Sequence, residues 1–135
     1  HRPTATDKSF APEGCDSFYA LVPVPNLIAK NISWDIQAHS FRKLIIEVLE
    51  RRLMPGLKNE IKHCFHMSPV DFKERYLSDA GAGFSLAPFF TQSAWFRFHN
   101  KSEIIKNLYL VGAGTHPGAG LPGVLSSAKT LESLL

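Results

Sequence analysis

The sequence has only two cysteines, Cys15 and Cys64, and their spacing matches no metal-binding or redox motif. Two cysteines do not suggest the disulfide framework of a small secreted domain, and we therefore expect a reducing, cytoplasmic setting. No apolar run approaches the roughly 20 residues that a membrane-spanning helix needs, and we expect no signal peptide at the start. Long runs of like charge are also missing, so nucleic acid is not an expected partner.

The charge that is present is mildly basic, with a formal net charge of +3 at pH 7. The basic residues are scattered apart from one group on a predicted helix: Arg42, Lys43, Arg51 and Arg52. A solvated helix face is the favoured interpretation of this group. Weak attraction to an anionic membrane surface is the alternative.

The length of 135 residues and the apolar fraction of 44% suit one folded domain. The chain begins at His1 without an initiator methionine, and no helix or strand signal occurs before Ala11. We therefore expect a piece of a longer protein.

Three segments have helical signals. Ile36 to Leu53 carries an apolar stripe at helical spacing, with Asp35 as the expected N-cap and Pro55-Gly56 as the stop. Ser68 followed by Pro69 predicts the start of a short helix that runs to about Leu77. A last helix is expected from near Val124.

Three further segments have the composition of strands. Phe18 to Val24 is apolar and β-prone, Ile61 to Met67 alternates apolar with polar residues, and Leu108 to Val111 is a short apolar run. Together with the helices they predict an α/β fold with mixed strands, α+β for the piece in isolation, that ends in a strand, a loop and a helix.

The loop between the last predicted strand and helix is rich in glycine. Residues 108–124 read Leu-Tyr-Leu-Val-Gly-Ala-Gly-Thr-His-Pro-Gly-Ala-Gly-Leu-Pro-Gly-Val. Such a loop brings bare backbone N–H groups and a positive helix end close to a ligand. Gly112, Gly114 and Gly118 do not have the spacing of a dinucleotide fingerprint, and no Walker lysine follows. On spacing alone, a ligand-binding loop and a tight structural connection remain equally open.

Several blocks of the sequence resemble, in order, those of the bacterial-type phytoene desaturase family, within the FAD-containing amine oxidases and carotenoid desaturases and isomerases. The similar blocks span nearly the whole chain: Ala11-Pro-Glu-Gly-Cys15, Pro23-Val-Pro25, Met54-Pro-Gly-Leu57, Pro69-Val-Asp-Phe72, Thr91-Gln-Ser-Ala-Trp-Phe-Arg97 and Asn107-Leu-Tyr-Leu-Val-Gly-Ala-Gly-Thr-His-Pro-Gly-Ala-Gly120.

The resemblance implies a C-terminal piece of a two-domain flavoprotein whose FAD-binding βαβ unit lies upstream. Residues 1–105 would end the substrate-binding domain, and residues 106–135 would form the last strand, loop and helix of the FAD-binding domain. The loop would then close over the flavin. By this resemblance, the residues near the cofactor are Gly112, Ala113, Gly114 and Thr115 along the ribityl and pyrophosphate part, and Leu121, Pro122, Gly123 and Val124 beside the isoalloxazine ring. Many related flavoproteins have an acidic residue where this chain has Ala113.

The aromatic segment from Phe84 to Phe98 is the second candidate site. A tunnel for a long polyene would be lined by aromatics, with Phe89 and Trp95 as the first choices, although core packing is the favoured alternative. His116 is expected to make a structural hydrogen bond rather than act as a general base. His63, Cys64 and His66 suggest zinc ligands, but on a strand His63 would face away from the other two and no second ligand pair is near, so no metal is expected.

The resemblance implies an FAD-dependent oxidoreductase of carotenoid biosynthesis that removes hydrogens from an acyclic carotene such as phytoene, toward lycopene. Peripheral membrane association follows from so apolar a substrate. A carotene isomerase, a later-step desaturase or a ketolase of the same family is the alternative. A third hypothesis is an isolated, non-catalytic piece that self-associates through uncovered apolar faces. The catalytic residues are not identifiable from the sequence.

Overall fold

The computed structural model describes residues 1–87 and 89–135, with the backbone alone for Ala94. Four α-helices run through these residues: α1 (Trp34–Arg52), α2 (Leu57–Glu60), α3 (Pro69–Tyr76) and α4 (Leu121–Glu132). Short 3₁₀ turns and irregular segments connect them, and α1 packs against both α2 and α3. Of the described residues, no helix is both long and apolar enough to cross a bilayer.

Helix α1 confirms the prediction for residues 36–53, with its first turn earlier than expected. Ser33 is the N-cap, so the prediction of Asp35 as N-cap was wrong. The Asp35 carboxylate instead lies in the first turn, where negative charge favours the helix dipole. Leu53 ends the helix, and its N–H donates to the carbonyl of Leu49 over 2.9 Å. Gly56, at φ +87°, then turns the chain into α2, which the sequence did not predict.

Helix α3 begins where Ser68 and Pro69 predict. The Asp71 carboxylate accepts hydrogen bonds from the Ser68 backbone N–H over 2.7 Å and from its hydroxyl over 2.8 Å. These bonds hold the pKa of Asp71 below its usual value, the backbone N–H being the largest cause. Helix α4 starts at Leu121, three residues before the expected Val124. Pro122 fits the first turn because that position needs no N–H donor.

The predicted mixed strands are not found, so the α/β prediction, and α+β for the isolated piece, are corrected to a mainly helical fold for the described residues. Residues 18–24 and 61–67 form no ladder, and only two isolated bridges occur in the part described: Phe98 with Thr115 and Lys101 with Tyr109. These segments have a β-prone composition, but composition alone does not make a strand. A strand also needs a neighbouring strand for its backbone groups, and the described residues supply none.

Little of the apolar surface is enclosed. Among the described residues the buried apolar side chains are Trp34 and Ala38 on α1 and Pro69 on α3. The predicted stripe of α1 is only partly covered, since Leu44 and Leu53 are exposed. The aromatic segment is irregular, with 3₁₀ turns at Phe90–Gln92 and Ala94–Phe96, and its Pro88 lies outside the described residues. Most buried side chains are instead polar. Five polar side chains are buried, and apart from Ser68 they lie in or next to the glycine-rich loop and α4: Arg97, Asn100, Thr115 and Ser127.

Candidate functional site

The segment before the glycine-rich loop lies against residues 98–102. Lys101 forms an antiparallel bridge with Tyr109, and Phe98 forms a parallel bridge with Thr115. The N–H of Leu110 donates to the carbonyl of Asn100 over 2.8 Å. These contacts cross the predicted boundary between residues 105 and 106, and that domain division remains a prediction. The predicted strand of residues 108–111 is thus a segment that pairs with residues 100–102 at Leu108, Tyr109 and Leu110, without forming a ladder.

Asn100 lies at the centre of this arrangement, with 4% of its surface exposed. Its side-chain amide donates to the carbonyl of Leu110 over 3.1 Å and to that of His116 over 3.2 Å. Longer contacts reach Thr115 Oγ1 at 3.4 Å and the carbonyl of Ser127 at 3.5 Å. One side chain therefore joins the segment before the loop, the loop itself and α4.

Ser127 on α4 is fully buried and contacts both stretches predicted to hold the cofactor. Its hydroxyl donates to the carbonyl of Val124 over 2.8 Å and accepts the N–H of Gly112 over 2.9 Å. Gly112 opens the first stretch and Val124 closes the second. The structure thus brings the two predicted groups of residues together, joined through a single oxygen atom.

Arg97 holds the loop from the other side. Its Nη2 donates to the carbonyl of Ala113 over 2.6 Å, and its side chain runs alongside Gly118. Its Nε is buried without a hydrogen-bond partner in the part of the chain that the structure describes. The guanidinium therefore fixes the backbone carbonyl of Ala113.

Two glycines are required by the local geometry. A Cβ on Gly123 would lie 2.6 Å from the carbonyl oxygen of Gly118, so only glycine lets the first turn of α4 approach the loop this closely. Gly120 is the N-cap of α4 and has φ +88°, a conformation that other residues rarely adopt. Both positions shape the entry into α4.

Backbone donors in the two stretches remain available. The N–H groups of Ala113, Gly114, Leu121 and Gly123 donate to no partner in the described part of the chain. Helix α4 has no side-chain cap and no acidic residue in its first turn, so its positive end is not neutralised locally. Free N–H groups beside a helix N-terminus are suited to phosphate, ribityl oxygens or the carbonyl edge of a flavin.

The predicted residues differ in what they expose. Leu121 and Pro122 are exposed, whereas Thr115 is buried and its hydroxyl donates to the carbonyl of Gly112 over 3.0 Å. Thr115 therefore offers a ligand no free hydroxyl. Its assignment to the cofactor site remains a prediction, as do those of the other seven residues.

His116 faces away from the start of α4. Its ring lies 5.4 Å from that of His99, beside an open depression of about 590 Å³ that is also lined by Thr130 near the end of α4 and by Leu134 beyond it. Its Nε2 is buried without a partner among the described residues. None of the predicted cofactor residues lines this depression. Among the described residues His116 Nε2 therefore lacks the structural hydrogen bond expected from the sequence, and the ring lies away from the predicted cofactor residues that a general base would have to approach.

The aromatic candidates are exposed in this chain. Phe89 and Trp95 show 67% and 72% of their surface to solvent. The Trp95 ring stacks edge-on against His99 with centroids 5.0 Å apart, and Phe90 packs against Phe96 at 5.5 Å. Packing into a core of this chain, the alternative favoured from sequence, does not account for Phe89 and Trp95. Their role toward substrate remains a prediction.

The histidine-rich segment around residue 64 packs on α1. His66 lies with its ring centroid 5.1 Å from that of His39, and its Nδ1 is 3.4 Å from Nη1 of Arg42. Burial, then the positive charge of Arg42, lowers the pKa of His66. Arg42 is therefore half-buried rather than part of a solvated face, and Lys43, Arg51 and Arg52 remain exposed. Among the described residues no group of three or more His, Cys, Asp and Glu is placed to hold a metal ion.

Sequence reasoning missed Asn100 and Ser127 and gave Arg97 only as the end of a family block. One signal for Ser127 was available, since it follows Val124 by three positions and so lies on the apolar side of the last helix. A hydroxyl on such a face indicates a buried hydrogen bond. Asn100 carries no comparable local signal.

Comparison with known proteins gives a consistent result. No family model matches the chain. It is 48% identical over 135 residues to a lycopene-forming phytoene desaturase of Pantoea ananas, covering all of this chain and 27% of that protein. It is 53% identical over 135 residues to a neurosporene-forming phytoene desaturase of Cereibacter sphaeroides, covering 99% of this chain and 26% of that protein.

A more distant relative is a 4,4'-diapophytoene desaturase (4,4'-diaponeurosporene-forming) of Staphylococcus aureus, 39% identical over 140 residues, with 98% of this chain and 28% of that protein covered. The chain thus spans about a quarter of the length of the curated relatives it matches. Identity of this level over essentially every residue confirms the resemblance seen in the sequence blocks: the chain belongs to the phytoene desaturase family.

Proposed function

We propose that the protein containing this chain is an FAD-dependent oxidoreductase that introduces double bonds into an acyclic carotene, and that this chain is its C-terminal part. The observation that carries the proposal is the similarity of the whole chain to carotene desaturases at 48–53% identity. The arrangement of backbone donors at the loop and the start of α4 supports it, because that arrangement fits a flavin.

Eight residues would hold the cofactor in this proposal, in two stretches. Gly112, Ala113, Gly114 and Thr115 follow the ribityl and pyrophosphate part through backbone groups, and Leu121, Pro122, Gly123 and Val124 border the ring. When bound, FAD supplies the acceptor for the hydrogens removed from substrate. The positive end of α4 favours negative charge on the ring edge.

The substrate side of the proposal rests on the exposed aromatics. A polyene has no polar groups to recognise, so an apolar surface that also excludes water is what binding requires. Trp95 offers such a surface beside the glycine-rich loop, because Trp95 contacts His99 and His99 contacts His116 of the loop. Phe89 is exposed in the same aromatic segment. We place the carotene along this segment, and the protein at a cytoplasmic membrane surface where carotenes dissolve.

The identity of the product has to be determined by experiment. Relatives that form lycopene and relatives that form neurosporene match this chain about equally well. The complete reading frame, expressed in a host that accumulates phytoene, should convert phytoene to coloured carotenes that chromatography separates. Unchanged phytoene would refute desaturation. Isomers of phytoene without new double bonds would indicate an isomerase.

A second candidate concerns the chain on its own. Its large apolar side chains are widely exposed, Phe65, Phe90 and Ile104 among them. Apolar side chains exposed in such numbers favour association. We propose that the isolated chain self-associates and does not catalyse, because half of the cofactor site lies elsewhere in the protein. Sedimentation of the purified chain at several concentrations tests this.

A further inference from the structure

Two buried polar side chains fix the glycine-rich loop without being able to touch a ligand. Ser127 has no exposed surface and Asn100 has 4%. Neither belongs to the stretches that carry free backbone donors. Any effect of these two residues on a bound molecule must therefore pass through the backbone of the loop.

The Asn100 amide closes the loop at both ends. It has two N–H donors, and its two shortest bonds go to the carbonyls of Leu110, before the loop, and His116, after its first part. The backbone carbonyl of Asn100 also accepts the N–H of Leu110. The two amide hydrogens of Asn100 are thus used by the carbonyls of Leu110 and His116. This one side chain therefore sets the distance between residues 110 and 116.

The Ser127 hydroxyl sets the position of the loop relative to α4. It has a single hydrogen, which goes to the carbonyl of Val124 in its own helix, so a lone pair is directed toward the N–H of Gly112. This bond fixes where Gly112 lies against the helix. The bond therefore holds the start of the stretch that carries the free donors of Ala113 and Gly114 against α4, whose first turn carries those of Leu121 and Gly123.

Apolar packing offers no substitute for these bonds. The loop and α4 contain no buried large apolar side chain, since Leu110, Val124 and Leu131 are only half-buried. The N–H of Gly112 donates to no acceptor other than the Ser127 hydroxyl in the described part of the chain, so loss of that hydroxyl would leave a half-buried donor unpaired, which is costly. The loop position therefore depends on hydrogen bonds more than on packing.

We propose that Asn100 and Ser127 are positioning residues that preorganise the two halves of the cofactor cradle, so that FAD affinity depends on their hydrogen bonds. The proposal rests on the proposed function for the identity of the ligand. The organisation of the loop itself does not depend on that identity, and it can be measured without cofactor.

The matched pair Ser127→Ala and Ser126→Ala tests it in the complete protein. Both serines lie on α4, but Ser126 is exposed and its side chain makes no hydrogen bond in the structure. In the cofactor-free protein, S127A should speed hydrogen–deuterium exchange at Gly112, and S126A should not. S127A should weaken FAD binding about tenfold, as expected when the half-buried N–H of Gly112 is left without its partner, and shift the absorption spectrum of the bound flavin.

A second pair, Asn100→Asp and Asn59→Asp, keeps the test decisive if S127A fails to fold. Aspartate has the size of asparagine but presents oxygens to the two carbonyls, whereas Asn59 is exposed on α2. N100D should weaken FAD binding at least as much as S127A, with N59D unchanged. Wild-type affinity for FAD in both S127A and N100D would overturn the inference. A wild-type protein that binds no FAD would instead refute the proposed function, while the exchange at Gly112 would still report on the loop.

Discussion

The backbone N–H of Gly112 donates to the hydroxyl of Ser127 over 2.9 Å, and the same hydroxyl donates to Val124 over 2.8 Å. Two stretches of sequence that resemblance assigns to one cofactor are thus in contact within this chain. The glycine-rich loop and the first turn of α4 act as one unit.

The close contact between Gly123 and Gly118 predicts a strong effect of Gly123→Ala. The added methyl group would lie 2.6 Å from the Gly118 carbonyl oxygen, so the first turn of α4 must move away from the loop. We expect a loss of about 1–3 kcal/mol of stability and weaker FAD binding in the complete protein. Gly83→Ala is the control, since its Cβ would meet only the Phe72 ring at 3.8 Å. Equal effects of the two substitutions, measured by thermal unfolding and flavin titration, would contradict this prediction.

Arg97→Gln should loosen the loop at Ala113. The guanidinium donates to the Ala113 carbonyl over 2.6 Å from a buried position, and glutamine is too short to follow the same path along Gly118. We expect a loss of about 1–3 kcal/mol, the range for a buried hydrogen bond made by a charged group. Hydrogen–deuterium exchange across residues 112–116 should rise. Arg51→Gln, at an exposed position on α1, provides the comparison and should change neither quantity.

His66 predicts a pH dependence of stability. Burial and the nearby Arg42 lower its pKa in the folded state below the ordinary value of 6.5. As pH falls below 6.5, the unfolded chain binds a proton that the folded chain resists, so this contribution to stability is present above 6.5 and is lost toward lower pH. His66→Gln should flatten the decline in unfolding temperature over that window. His63→Gln, at an exposed position, should leave the decline in unfolding temperature as in wild type. An unchanged slope in H66Q would exclude His66 as the cause of the pH dependence.

The isolated 135-residue chain should carry no flavin. Its free donors can meet only one side of the cofactor, and its exposed apolar residues favour association instead. Purified alone, it should lack a flavin absorbance band and sediment as concentration-dependent oligomers. A stoichiometric flavin band, or a monomer at all concentrations, would refute the respective part of this prediction.

Local signals in the sequence account well for the helices. The apolar stripe predicts α1, and Ser68 with Pro69 predicts α3, because caps and periodicity act within a few residues. The strands predicted at residues 18–24, 61–67 and 108–111 are not formed. A strand also requires a partner strand, which composition does not reveal. For the same reason, only part of the candidate site could be predicted from the sequence. The glycines are visible as a pattern, whereas Asn100 acts on residues 10 to 27 positions away, and nothing local marks it.

The most direct test of the account is a reaction of the complete, FAD-loaded protein with phytoene in lipid vesicles, without oxygen or another acceptor. The account predicts that the flavin absorbance band bleaches while a carotene with a longer conjugated system forms in matching amount. Desaturated product from flavin-free protein, or a flavin that stays oxidised while phytoene is consumed, would contradict it.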